Sequence, residues 1–263
     1  MTINFIIRGR LGNAIFRYMA SVIICLHFNV TYSINKIQID NLSDEEFLKI
    51  CNSIIGNHIL NNEIISKIKY GINMNCFYQH DLIYKLHKNK IISFINMNPS
   101  QYILTDGIQA GDDCCEKFYM QDILNTSLNF NKIYKNVLHI RLEDFVTHNL
   151  YIDKYRIINL LEICIISELC IVCKKPSTDF EFDYINFITE YLERKNIIYV
   201  LEYNDVLTDY YIMKECEVLI CSKSTLSWCA AFFSNKIKKC YFPDYEITSN
   251  STCKMPIDNT ETY

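Results

Sequence analysis

Four short segments of this 263-residue chain gather residue types that act together chemically. Gly9-Arg10-Leu11-Gly12-Asn13 follows an apolar run from Ile3. Glycines behind a buried strand let main chain approach a ligand closely, and a following helix turns its free amides toward an anion. A tight turn with Arg10 in solvent accounts for the same residues. His139-Ile140-Arg141-Leu142-Glu143-Asp144 is the second segment. His139 and Arg141 are two positions apart, so on a strand they share a face. A guanidinium there can grip a diphosphate through two parallel hydrogen bonds while the imidazole bonds a base or ribose. Taken alone, the segment reads more simply as an edge strand with an Arg141–Asp144 ion pair.

Cys221-Ser222-Lys223-Ser224-Thr225-Leu226-Ser227-Trp228 is the third. Hydroxyls and one ammonium collect where a strand gives way to a helix, which suits a phosphate. Plain capping explains one hydroxyl but not four. Trp228, the single tryptophan, is expected to be a packing anchor. The fourth segment, Asp209 to Cys216, reads as a helix with Asp209 at its N-terminal end. By itself Asp209 is a helix cap; in a site it would receive a ligand donor.

All four segments lie at the ends of expected strands. In the second half, strands are expected over 137–140, 169–173, 197–201, 218–221 and 239–242. Helices are expected between them over 155–167, 184–194, 209–215 and 226–233. The first half predicts a strand over 3–8, a helix over 13–28, a strand over 31–34, and a helix opened by Ser43-Asp44-Glu45-Glu46. Residues 57–90 read as helical and polar, 91–96 and 102–105 as strands, and 117–124 as a helix. Short apolar runs alternating with helical periods predict parallel βαβ units. The expected architecture is therefore α/β, with two Rossmann-like domains, 1–130 and 131–263, facing a cleft.

Composition removes several function classes. A formal net charge of −4 leaves no basic footprint for nucleic acid. Thirteen cysteines, many inside apolar runs, fit free thiols in a reducing, cytoplasmic setting better than a disulfide framework. Cys170 and Cys173 have metal-ligand spacing, yet no second pair follows, and a strand explains them better. Asp112-Asp113 and Asp179 to Asp183 are the acidic candidates for a metal, and surface charge accounts for both. No targeting segment is expected. The apolar stretch from Ile157 to Cys173 carries Asn159, Glu162 and Glu168, which argues against a membrane span.

In order and context the segments resemble the α-1,2-fucosyltransferases and, more distantly, the α-1,6- and protein O-fucosyltransferases. The resemblance is carried by Gly9-Arg-Leu-Gly-Asn13-Ala-Ile-Phe16-Arg-Tyr18, Asp106-Gly-Ile-Gln109, His139-Ile-Arg141-Leu-Glu-Asp144-Phe145, Asp209 to Cys216, and Ser222-Lys-Ser-Thr-Leu-Ser-Trp-Cys-Ala-Ala231. It implies a GT-B-like fold, a GDP-fucose donor, a glycan acceptor bearing a galactoside O-2, and inversion with neither metal nor cofactor. It further implies that His139 and Asp209 meet guanine, that Arg141 meets the pyrophosphate, and that Ser224 and Thr225 meet phosphate oxygens. Gly12 and Asn13 would line the donor or fucose side. By proximity Asp144 and Glu143 are the candidates for a base, with orienting Arg141 the simpler role for Asp144. Three departures stand out: Leu142 replaces a second arginine, Glu143 a glycine, and Lys223 an asparagine. Those changes keep two alternatives open, another GDP-sugar as donor or an inactive sugar-nucleotide or glycan binder.

Overall fold

The computed structural model describes residues 2–5, 9–29, 31–33, 41–70, 72–74, 76–105, 116–125, 131–244 and 255–263. They form two compact units, one within Met1–Asn125 and one within Thr126–Glu246 and Lys254–Tyr263.

The first unit begins with β1 (Thr2–Phe5), α1 (Leu11–Phe28), β2 (Thr31–Ser33), β3 (Asn41–Leu42), α2 (Asp44–Gly56), α3 (Asn62–Tyr70) and β4 (Ile72–Met74). Its four strands are parallel in the order β2-β1-β4-β3. α4 (Asp81–Met97), the antiparallel pair β5 (Tyr102–Thr105) and β6 (Glu116–Tyr119), and α5 (Met120–Leu124) follow. Ser43 caps α2 as expected: Glu46 N–H donates to its Oγ at 3.2 Å, and Ser43 N–H donates to the Glu46 carboxylate at 3.0 Å. α1 is apolar on nearly every side and long enough to cross a membrane by length and composition, but it is the core helix of this unit, 78% buried.

Residues 91–96 are not a strand but the end of α4. Tyr84, Ile91 and Ile95 fall on one helical stripe, all fully buried, and that spacing overrides the β-rich composition. The helix expected over 117–124 is β6 at its first three residues and α5 over the remaining five.

The second unit contains β7 (Asn136–His139), α6 (Glu143–Thr147), α7 (Lys154–Ile163), β8 (Glu168–Val172), α8 (Asp179–Arg194), β9 (Ile198–Glu202), α9 (Val206–Glu215), β10 (Val218–Ile220), α10 (Thr225–Phe233), β11 (Lys239–Phe242) and β12 (Thr260–Thr262). All six strands are parallel in the order β12-β11-β10-β7-β8-β9. Numbered along the chain this is 6-5-4-1-2-3, the doubly wound dinucleotide-binding order. The chain builds outward from β7 on one side, returns through α9, and builds outward again from β10. Both units are thus α/β on parallel sheets, the make-up expected of a GT-B-like chain.

Leu138, Ile157, Leu161, Ile171, Ile188 and Leu192 pack α7 and α8 onto the second sheet. α9 packs on β7, β8 and α10. Trp228 is the anchor of α10, fully buried and stacked on Phe232 at 5.1 Å between ring centroids. The apolar stretch 157–173 is a ten-residue helix followed by a strand, and neither spans a bilayer.

Candidate functional site

In open parallel sheets the ligand crevice lies beyond the strand C-termini where the winding reverses. In the second unit that place is between β7 and β10. A hollow opens there, and His139, Arg141, Ser222 and Lys223 line its polar side while Ile152 and Ile157 line its apolar side. The second and third motifs, some eighty residues apart in sequence, meet at this point.

His139 ends β7 and is 5% exposed; its Nδ1 is 2.9 Å from Ser222 Oγ. Burial pushes the imidazole down to about 4, so it is neutral at pH 7. Nε2 has no partner among the described residues; the Ser222 hydroxyl can either donate to Nδ1 or accept from it, so either tautomer is compatible with this contact. Arg141 donates Nε (3.2 Å) and Nη2 (2.9 Å) to one oxygen of Asp144, and its Nε lies 3.1 Å from the Glu143 carboxylate. The ion pair expected of an edge strand therefore exists, but it follows a central strand, and its arginine lines the hollow. It occupies one edge of the fork; Nη1 takes no partner among the described residues.

The four hydroxyls of the third motif are divided among tasks. Ser222 bonds His139, Ser224 Oγ caps α10 by accepting from Leu226 N–H (3.2 Å), and Ser227 donates back to the Ser224 carbonyl (3.0 Å). Thr225 is the first residue of α10. Neither Ser224 nor Thr225 lines the hollow, although Ser224 still has its hydroxyl proton to give. Burial, and after it the Arg156 guanidinium, pull the Lys223 ammonium below its ordinary value. Arg156 went unnoticed in the sequence. It donates to the Tyr263 main-chain oxygen, and the Tyr263 hydroxyl donates to the Cys221 carbonyl at 2.7 Å, steadying the strand end that bears Ser222.

Asp209 does not cap its helix. α9 starts three residues earlier than expected, and Asp205 accepts from Leu207 N–H (3.0 Å) and Thr208 N–H (2.9 Å). Asp209 is released from capping and accepts from Asn204 at 3.2 Å. Burial, with Asp205 and Glu202 nearby, raises its carboxyl to about 7. Beside it Glu202 takes Lys132 (2.7 Å) and the Tyr134 hydroxyl (2.5 Å). Asp209 is not in the hollow. Glu202 aligns with Val172 and Val172 with His139, so this cluster lies two strand spacings, roughly 10 Å, from β7 along the same sheet edge.

The first unit has its own reversal point, between β1 and β4. Gly9 follows β1 with φ +80°, which favours glycine, and a Cβ there would stand a tight 3.2 Å from Asn13 Nδ2 and 3.3 Å from the Phe77 ring. α1 starts at Leu11, two residues before the Asn13 expected, which puts Gly12 as well as Asn13 in its first turn. Gln79 Nε2 donates to Asn13 Oδ1 at 3.2 Å. Asp106-Gly107-Ile108-Gln109 and Asp112-Asp113 lie outside the described residues.

Among the described residues, no three His, Cys, Asp or Glu side chains gather as a metal site would require. Cys170 and Cys173 are buried thiols, Cys173 pushed up to about 12 by burial. Glu181 of the acidic stretch 179–183 is not surface charge: it forms a capping box with Thr178, a Thr-x-x-Glu signal open to view in the sequence.

No family model matches the chain, and no curated protein matches it. A solved structure, the crystal structure of POFUT1 in complex with GDP-fucose, aligns with 91% of this chain and 96% of that one, at 9% identity and a TM-score of 0.43.

Proposed function

We propose that the chain is an inverting glycosyltransferase that moves L-fucose from GDP-fucose to a sugar hydroxyl, the O-2 of a galactoside. The observation that supports it best is the meeting of His139, Arg141, Ser222 and Lys223 at the reversal point of a six-stranded doubly wound sheet. Nucleotides bind at such points, and a neutral imidazole beside two cations suits a nucleoside diphosphate. The fucosyl part of the reading comes from the motif resemblance.

In this reading the nucleotide lies along the sheet edge. The diphosphate sits at the hollow and the base reaches toward Asp209, with His139 offering Nε2 to the nucleoside. Fucosyl transfer breaks the anomeric C–O bond through an oxocarbenium-like state while negative charge builds on the leaving GDP. The Nη1 side of Arg141, the Lys223 ammonium, the Ser224 and Thr225 hydroxyls and the first amides of α10 would stabilise that charge. Such preorganised donors supply the largest single share of many rate enhancements. Asp144 orients Arg141 and is committed to that contact. Gly12 and Asn13 serve the fucose or acceptor side. No metal or other cofactor is needed where cations and amides already meet the phosphates, and the free thiols suit a cytoplasmic enzyme.

The deciding measurement is thermal unfolding with nucleotides. A ligand that binds only the folded state raises the melting temperature by mass action. GDP and GDP-fucose are expected to raise it, and UDP and UDP-galactose to leave it unchanged. Equal shifts with the uridine nucleotides would defeat the donor assignment.

A further inference from the structure

Glu143 occupies an unusual position. It opens α6 with φ +34°, a left-handed backbone value that favours glycine and that a glutamate adopts only under constraint. The constraint is visible at both ends of the residue. Its N–H donates to Glu181 Oε1 at 3.2 Å, and Glu181 is fixed by the Thr178 capping box at the start of α8. Its side chain is only 17% exposed, one oxygen 3.1 Å from Arg141 Nε and the other 3.1 Å from Lys174 Nζ. A residue chosen for the backbone alone would be glycine. What glutamate adds is the second carboxylate on Arg141.

We propose that Glu143 is a positioning residue: together with Asp144 it locks the Nε–Nη2 edge of Arg141, so that the Nη1 edge is presented to a diphosphate. This rests on the donor reading above. Asp144 alone meets the fork through a single oxygen, which leaves the guanidinium free to pivot about that point. Glu143 supplies a second fixed point from a different backbone position, and Lys174 holds Glu143 in turn. With both oxygens engaged, Glu143 is not placed to take a proton from an acceptor. Its negative charge opposes the phosphates in the ground state and the growing charge on the leaving group still more. Any benefit therefore has to come from the orientation it gives Arg141, which turnover rewards more than binding does. Removing it therefore separates binding from turnover.

The test compares the full-length wild type with Glu143→Gly and Glu143→Gln. It measures GDP affinity by calorimetry, melting temperature, and GDP release from GDP-fucose into water or a galactoside. Glu143→Gly is expected to melt no lower than wild type, to bind GDP at least as tightly, and to lose roughly tenfold or more in kcat. Glu143→Gln keeps an oxygen for Arg141 Nε and is expected to recover much of kcat. A merely structural role would move melting and binding together and leave no such split. A Glu143→Gly variant with kcat within roughly twofold of wild type overturns the positioning role alone. A wild type that binds no GDP, or turns over no GDP-fucose, overturns the donor reading and this inference with it.

Discussion

Beside the ends of β1 and β4 stand Asn13, Gln79 and Phe77, a pair of amides and an aromatic ring; beside the ends of β7 and β10 stand His139, Arg141, Ser222 and Lys223. Both places are winding reversals of a parallel sheet, so topology alone would assign each a ligand. The side chains differ in kind. Amides and a ring suit uncharged hydroxylated groups, whereas a fork and an ammonium suit phosphate. A parallel sheet dictates where a ligand sits, and the first few residues after each strand dictate its chemistry.

The strongest attempt to break this division sets Arg141→Ala against Asn13→Ala. Arg141→Ala is expected to lose about 2–4 kcal/mol of transition-state stabilisation, read as kcat/KM for GDP release, and to weaken GDP binding. Asn13→Ala should lower turnover while leaving GDP affinity in calorimetry as it was. If both variants weaken GDP alike, Asn13 serves the nucleotide as well, and the contrast in side-chain chemistry does not track the ligand.

Acidity sharpens the contrast, because Asn13 and Gln79 do not titrate. His139 is held near 4 against an ordinary 6.5, so the stability it contributes is complete above about 6.5 and is lost as pH falls toward 4. Chemical denaturation across that window should show His139→Gln losing less stability on acidification than wild type, by on the order of 1–3 kcal/mol. Asp209 runs the other way. Its carboxyl is raised from 3.8 to about 7, so the fold favours the protonated form and stability falls as pH climbs between those values. Asp209→Asn should remove that fall and be more stable than wild type at pH 8, by on the order of 1–2 kcal/mol after solvent screening. An Asn variant that is less stable at pH 8 would mean the carboxylate is wanted ionised.

The smallest effect expected is none. Exhaustive EDTA treatment of metal-stripped enzyme should leave GDP release unchanged, since a divalent ion placed among Arg141, Lys223 and Arg156 would be repelled. A large loss restored by Mn²⁺ would replace the cationic cradle with a metal-dependent one.

Much of the second unit could be read from its sequence. From β7 to β11 each strand is a short apolar run, and the longer helices announce themselves through a cap or a stripe, as with Thr178 and Ile185-x-x-Ile188. β12 (Thr260–Thr262) and α6, with no side-chain cap and no buried residue, gave no such signal. His139 and Arg141 were legible because two-residue spacing at a strand end leaves few alternatives. The first unit was harder. β3 and β4 are two and three residues long, within a polar stretch, and give no periodicity to detect. Ile91 to Asn96 looks like a strand by composition and packs as a helix. The helpers of the site were invisible for a different reason. Lys132 meets Glu202 across 70 positions, and Arg156 reaches Tyr263 across 107, contacts that only the closed sheet creates. Asp209 shows the middle case: the helix was visible, but the nearby Asp205 took the cap and changed what Asp209 is free to do.

The hydrogen bond between His139 and Ser222 joins residues 83 positions apart. β7, β8 and β9 follow one another along the chain, joined by α6 and α7 and then by α8, and can zip together from local contacts. β10 must then travel back past all three to find β7, and loop-closure entropy makes such distant pairings late. The hollow between β7 and β10 is thus the last part of the unit to exist. During refolding, GDP binding should return with the slowest phase, after most helical signal is already recovered, so that the ligand recognises completion of the chain's fold rather than its beginning.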